Sequence, residues 1–292
     1  MPNAKSPNNT PEHTPGAYIQ ANRTLWNTWT ARELASEHHR DVARFRATGS
    51  SLRLIELAEL GEQIGVLGKS LLHLQCNMGS ETLSWARLGA RVTGVDIADA
   101  AIERACALAD ETGLTSDSVR FMSADIYDLP TLLSEQFDIV FTSYGALCWL
   151  PDLSHWARVV ADCLKPGGVF YMVEMSPLSN LFATHPADID DPAGLTLRVG
   201  GSYFHQEAPI VEQNGQESVY CWSYGLGETL TALIDAGLRL DYIHEFPMAH
   251  YQRFPALIQG DDGYWRWPEP TDESMTRNTL PLLFSVLAHK KK

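Results

Sequence analysis

The chain has 292 residues, 45% of them hydrophobic and 20% charged, with 8 Trp, 10 Tyr and 10 Phe; that is enough apolar material for a sizeable core and excludes a disordered chain. Its 22 Lys and Arg stand against 36 Asp and Glu, a formal charge of −14, the reverse of what coating nucleic acid requires. No apolar run approaches the roughly 18 residues of a membrane span. The five cysteines (Cys76, Cys106, Cys148, Cys163, Cys221) are scattered and odd in number, which implies neither a disulfide framework nor a metal site and points to reduced thiols in the cytoplasm.

In chain order, residues 1–16 (MPNAKSPNNTPEHTPG) are polar and rich in Pro and Asn, and read as a disordered leader without signal-peptide character. Residues 17–60 read as a helical cap. Within it, 18–46 is helical in pattern and carries Tyr18, Trp26, Trp29, His38 and His39, and a short helix Leu52–Leu60 ends at Gly61. Strand-like and helix-like segments then alternate through the core, 61–174. Strands are expected at Ser70–Cys76, Arg91–Asp96, Val119–Ala124, Phe137–Thr142 and Val169–Glu174, with helices Glu81–Leu88, Asp99–Thr112 and Asp152–Leu164 between them. The last helix is expected to stop at Lys165-Pro166-Gly167-Gly168. Continuous apolar strands between amphipathic helices indicate a doubly wound α/β fold, a parallel sheet covered on both faces. The alternation breaks at 175–225 and 246–279, two aromatic insertions expected to act as lids because such long loops are usually functional. Helix Glu228–Gly237 and strands Leu238–Glu245 and Leu280–Ala288 complete a single domain, 17–292.

Three strand ends carry the candidate binding chemistry. The run Leu71–Ser80 passes from strand into helix, where free N–H groups and the helix dipole attract polar or anionic ligand groups. Ligands of open α/β sheets sit beyond the carboxyl ends of the strands. Asp96 closes the next strand 17 residues after Gly79, a placement suited to ribose hydroxyls. Asp125 ends the third strand, placed for an exocyclic amine, with Ile126 offering an apolar face to a purine.

These segments resemble the class I S-adenosylmethionine-dependent methyltransferases. The resemblance rests on Leu72-His73-Leu74-Gln75-Cys76-Asn77-Met78-Gly79, Gly94-Val95-Asp96-Ile97, Ala124-Asp125-Ile126, Phe137-Asp138-Ile139-Val140 and Leu164-Lys165-Pro166-Gly167-Gly168. It covers 52–174 closely and 228–288 more loosely. It implies a seven-stranded Rossmann-like sheet with the last strand antiparallel, and S-adenosyl-L-methionine as cofactor with S-adenosyl-L-homocysteine as product. By the resemblance, Asp96 holds the ribose hydroxyls, Asp125 and Ile126 the adenine, Gln75, Asn77 and Gly79 face the methionine half, and Ile97 and Ser143 also belong to the cofactor site. The Ser143–Tyr144 turn lies beside the reacting methyl. The chain departs from the family at His73, where an acid is usual, and at Gln75 and Asn77, where glycines are usual. Asn tolerates positive φ better than other non-glycine residues.

A nicotinamide-dependent oxidoreductase is the rival enzyme reading, and a non-catalytic cofactor-binding paralogue the rival outside enzymes. Gln75-Cys76-Asn77-Met78 crowds the place where a pyrophosphate would need glycines, which favours the methyl donor. Methyl transfer needs acceptor and methyl aligned at roughly 3 Å, and a base only if the acceptor must lose a proton. The candidates are His155, in the first turn of a helix aimed at the site, then Tyr144, His38, His39, His205, His244 and His250; Glu174, at the tip of the fifth strand, is expected to order the acceptor or a loop. Trp29, His38, Trp149 and Tyr203 are the candidate substrate pocket, aromatic faces suiting a planar or cationic small molecule. Adjacent helical residues such as His38 and His39 diverge by about 100°, and with no third ligand no metal is expected. N- or O-methylation of a small-molecule acceptor is expected, with neither nucleic acid nor membrane as partner and with a homodimer as the candidate assembly.

Overall fold

A computed structural model of the chain describes residues 14–36, 40–114, 118–182, 199–214, 217–268 and 280–292. The cap opens with α1 (Pro15–Ser36) and α2 (Arg40–Thr48). Pro15 and Gly16, expected in the leader, already belong to the helix: Thr14 caps it by accepting the Ala17 N–H at 3.4 Å, and proline suits the first helical position. His38 and His39 lie outside the described residues. A short α3 (Leu54–Glu56) runs into one wide π turn, Leu57–Glu62.

The alternating core follows as β1 (Ser70–Leu74), α4 (Ser80–Arg87), β2 (Arg91–Asp96), α5 (Asp99–Glu111) and β3 (Val119–Ser123). It continues with a one-turn α6 (Leu129–Leu132), β4 (Phe137–Ser143), α7 (Leu153–Cys163) and β5 (Leu164–Met175). The segment expected to stop α7, Lys165–Gly168, starts β5 instead, with a register irregularity opposite Phe137. In the first insertion β6 (Ile210–Asn214) and β7 (Glu217–Cys221) form a hairpin. After α8 (Leu226–Asp235) and β8 (Leu238–Phe246), the second insertion folds as three two-residue strands. These are β9 (Met248–Ala249), β10 (Ile258–Gln259) and β11 (Trp265–Arg266); β12 (Leu283–Lys290) closes the fold.

The main sheet has seven strands in the order β3-β2-β1-β4-β5-β12-β8. β1 to β5 pair in parallel, and β12 inserts antiparallel between β5 and β8. Alternate residues feed two cores. Leu72, Leu74, Val140, Phe170 and Met172 pack with Trp156 of α7 and Leu233 of α8. Leu71, Ile139, Phe141, Tyr171 and Val173 pack with Phe45, Leu60, Trp85 and Leu108 on the opposite face. Burial on both faces is why the strands lack the apolar–polar alternation of a half-exposed sheet. The topology reverses between β1 and β4, and ligands bind at that switch point in such sheets.

Candidate active site

The ends of β1 to β4 surround a cavity of about 210 Å³. The loop from β1 to α4 alternates its backbone sign. Gln75 (φ 55°), Asn77 (φ 49°) and Gly79 (φ 74°) are all left-handed. At Gly79 a Cβ would meet Ala105 and the Phe121 ring at 2.7 Å, so position 79 must be glycine both for conformation and for space. Gln75 donates from Nε2 to the Ala146 carbonyl at 2.8 Å, while Gln75 Oε1 and Asn77 Oδ1 are buried without a donor among the described residues.

Asp96 fastens this loop to the next strand. Its Oδ2 accepts the Asn77 N–H at 2.8 Å and its Oδ1 the Ala98 N–H at 2.9 Å. Burial pushes its carboxyl above the usual range against the pull of these donors. Each oxygen retains a lone pair for a ligand hydroxyl. Asp125 caps the turn after β3 by accepting the Tyr127 N–H at 3.0 Å, and burial also raises its carboxyl. Ile97, Ile126 and Tyr127 line the same cavity.

At the end of β4, Tyr144 (φ 39°) and Gly145 (φ 84°) make a second left-handed turn. Glu174, buried at the tip of β5, accepts four N–H groups that fix it: Gly145 at 2.5 Å, Met175 at 2.6 Å, Ala146 at 2.8 Å and Leu147 at 3.2 Å. Of the two roles open to this acid, the structure shows the ordering of a loop, and Glu174 does not line the cavity. Tyr144 does line it, but its hydroxyl donates to the buried Glu56 at 2.7 Å. Ser143 lines the wall and donates to Glu81 at 2.5 Å.

Two predicted residues are elsewhere. His155 is absent from the wall; its ring stacks on Tyr127 at 4.7 Å, behind the cavity lining. Tyr203 packs at the start of α8, its hydroxyl accepting the Leu226 N–H at 3.1 Å. Trp149 reaches the wall together with Trp26, and Trp29 packs edge-on against both, at 6.0 and 5.2 Å. His38 lies outside the described residues.

The expected lids contribute one described residue to the wall, His250. The N-terminal cap supplies the roof instead, through Ile19, Asn22 and Trp26 of α1 and Asp41 of α2. The β6–β7 hairpin is occupied in holding α1: the Asn22 side-chain amide pairs with both backbone groups of Tyr220, at 2.9 and 3.3 Å.

Sequence reasoning missed Glu81, and offered His250 only as one of several candidate histidines. Glu81 was detectable, as an acid in the first turn of the helix that follows the glycine loop. Burial and the neighbouring acids Glu56 and Asp41 push its carboxyl up to about 8. His250 sits in irregular chain with no periodic signal. Burial lowers it to about 3, and its Nδ1 has no partner. Among the described residues no cluster of His, Cys, Asp and Glu could hold a metal, and no helix is long and apolar enough to cross a membrane.

A seven-stranded sheet with an antiparallel strand inserted at one side and a cavity at its parallel strand ends defines the class I methyltransferase fold. The family model described as "Methyltransferase domain" matches residues 72–172 of the chain. The ubiquinone biosynthesis O-methyltransferase of Pseudomonas savastanoi pv. phaseolicola is 31% identical over 131 residues, 44% of this chain and 55% of that protein. The S-adenosyl-L-methionine-dependent Diels-Alderase iccD of Talaromyces variabilis is 35% identical over 133 residues, 44% of each. The chain thus spans about half the length of the curated relatives it matches. Among solved structures, an S-adenosylmethionine dependent methyltransferase from Mesorhizobium loti aligns over 77% of this chain and 92% of its own, at 20% identity and TM-score 0.52. The 1,6-didemethyltoxoflavin-N1-methyltransferase of Burkholderia thailandensis, with bound 1,6-didemethyltoxoflavin and S-adenosylhomocysteine, aligns over 98% and 95%, at 16% identity and TM-score 0.55. At such identities the shared property is the fold.

Proposed function

We propose that this chain binds S-adenosyl-L-methionine in the cavity at the ends of β1 to β4 and methylates a nitrogen or oxygen of a small-molecule acceptor. One observation carries the reading: the Gln75–Met78 stretch, Asp96, the Asp125–Ile126 pair and the Ser143–Tyr144 turn, from four strand ends, meet in one cavity, with Gly79 behind its wall. The residues fit the donor. Gln75 Oε1 and Asn77 Oδ1 wait there for a hydrogen-bond donor, and buried acceptors seldom stay unpaired. Asp96 would hold the ribose hydroxyls, and Asp125 the adenine amine with Ile126 against the ring.

When bound, S-adenosyl-L-methionine supplies a methyl group on a positively charged sulfur. The chain's own contribution is position and the exclusion of water. The Tyr144–Gly145 turn, held by Glu174, forms the wall beside the reacting centre. Trp26 and Trp149 give the acceptor aromatic surface. His250, kept neutral by burial, is the wall's imidazole and would receive an acceptor N–H or O–H at Nδ1. His155 would act only through Tyr127.

The same wall disfavours a nicotinamide dinucleotide, because no Lys or Arg among the described residues lines it to balance a pyrophosphate. The acidic balance of the chain, −14 overall, supports a neutral or cationic acceptor rather than nucleic acid, and its scattered cysteines support a cytoplasmic setting. Calorimetric titration with S-adenosyl-L-homocysteine and with NAD tests the reading. Binding of the former alone is expected, and Asp96→Asn should weaken it by about 1–3 kcal/mol. Binding of NAD alone overturns the proposal. Cofactor binding without S-adenosyl-L-homocysteine production across an acceptor panel would favour the non-catalytic paralogue.

A further inference from the structure

Four carboxylates line the cavity: Asp41, Glu81, Asp96 and Asp125. Three of them are answered by the protein. Asp41 pairs with Arg53 at 3.1 Å, and Asp96 and Asp125 accept backbone N–H groups. Glu81 is not. Its Oε2 accepts only the Ser143 hydroxyl and lies 3.9 Å from His73 Nε2. Its Oε1 accepts nothing from the described residues. His73 cannot supply the missing charge, since complete burial lowers it to about 3. Arg53, the cation of this corner, is shared with Asp41, Glu56 and the Tyr144 ring.

Two further unanswered acceptors precede Glu81 on the same connection, Gln75 Oε1 and Asn77 Oδ1. The orientation of the Gln75 amide is fixed, because its Nε2 is committed to the Ala146 carbonyl. Gln75, Asn77 and Glu81 thus all line the cavity, and one carboxylate oxygen and two amide oxygens on them have no hydrogen-bond partner among the described residues. A group that satisfies all three must carry several N–H bonds and a positive charge, which describes a primary ammonium.

We propose that Glu81 is the counter-ion for the α-ammonium group of the methionine half of the donor, with the Gln75 and Asn77 side-chain oxygens as its further acceptors. The proposal rests on the S-adenosyl-L-methionine reading above. It also accounts for His73, which stands on β1 where an acid is usual in the family: the negative charge missing from the strand returns on the first turn of α4. The neutral imidazole braces it, with Nδ1 2.7 Å from Thr82 Oγ1 and Nε2 3.3 Å from Ser143 Oγ.

The charge arrangement gives a readout independent of turnover. In the free protein burial, Glu56 and Asp41 favour the protonated Glu81, against the Ser143 hydroxyl and Arg53. An arriving ammonium favours the carboxylate, so the proton leaves to the buffer. Titrations at pH 7 in buffers of different ionisation enthalpy should show about one proton released per S-adenosyl-L-homocysteine bound. 5′-Methylthioadenosine, which has the nucleoside and sulfur but no amino acid, should bind with no such release.

Glu81→Gln should bind 5′-methylthioadenosine like the wild type, which also shows that it is folded. It should bind S-adenosyl-L-homocysteine about tenfold more weakly or worse, without proton release. Glu81→Asp should restore part of both effects. Glu81→Gln with wild-type affinity and wild-type proton release would overturn the proposal. If neither ligand binds the wild-type protein, the nucleoside reading of the cavity fails first and this assignment fails with it.

Discussion

Replacing Glu174 separates a residue that holds a wall from one that reacts. Each oxygen of its carboxylate accepts two backbone N–H groups: Oε1 those of Gly145 and Met175, Oε2 those of Ala146 and Leu147. In Glu174→Ala four donors lose their acceptor in a buried place, and the left-handed pair Tyr144–Gly145 loses its anchor. Hydrogen bonds to a charged group contribute about 1.5–3 kcal/mol each. The four share one group and water can enter from the cavity, so the loss should be well below their sum, about 3–5 kcal/mol. That is a large fraction of a typical stability of about 5–15 kcal/mol. Glu174→Gln keeps one oxygen and so two of the four bonds, while its NH₂ opposes the others; about half the loss is expected. Urea unfolding followed by circular dichroism, with S-adenosyl-L-homocysteine titration on the folded fraction, measures both effects. Stability and ligand affinity should fall together, in the order wild type, Gln, Ala. An unchanged urea midpoint in Glu174→Ala, with turnover alone abolished, would refute the reasoning and restore Glu174 as a group acting on the acceptor.

Gly79→Ala forces a Cβ to 2.7 Å from Ala105 and Phe121 at φ 74°; strain and overlap together should cost about 3 kcal/mol or more, read as a lowered urea midpoint. The stability of the free protein should also depend on pH with two opposing slopes. The acid Glu81 is raised in the folded state, from 4.5 to about 8, so its contribution is full below 4.5 and is lost as pH rises to about 8. His73 is lowered, from 6.5 to about 3, so its contribution is full above 6.5 and is lost as pH falls toward 3. Between pH 6.5 and 8 the two lowered histidines, His73 and His250, no longer contribute a slope, and Glu81 adds a fall of up to about 1.4 kcal/mol per pH unit. Unfolding curves across that window should show stability falling with pH in the wild type and falling less steeply in Glu81→Gln. Because Trp26 and Trp149 line the cavity, ligand should change the tryptophan emission, and Trp149→Phe should diminish that change; identical titration curves would remove Trp149 from the site.

The sheet was legible because β1, β2, β4 and β5, buried along nearly all their length, lack the regular apolar–polar alternation of a half-exposed strand. The strand-end acids were legible because a single carboxylate after such a run has few other places to go. Three kinds of feature escaped. The two-residue strands β9, β10 and β11 are too short to carry a period. His155 and Tyr203 stand near the site in sequence, yet the stack on Tyr127 and the bond to Leu226 take them off the wall. The lids were assigned to the longest irregular segments, whereas the roof is α1, whose burial is two-sided and not readable as one apolar stripe. Asn22, Trp26 and Arg23 face three different neighbours: the hairpin at Tyr220, the tryptophan cluster, and Asp99 of α5 at 2.8 Å.

The tie between Asn22 and Tyr220 joins positions 198 residues apart, whereas the parallel core assembles from neighbouring β-α units. Closing so long a loop is entropically expensive relative to the few contacts it secures. α1, held over the cavity by this tie and by the Arg23–Asp99 pair, is the part of the wall expected to open while the sheet stays intact. Amide exchange in the first helix should accordingly report how often the chamber admits a guest, and exchange in the central strands how often the whole molecule melts.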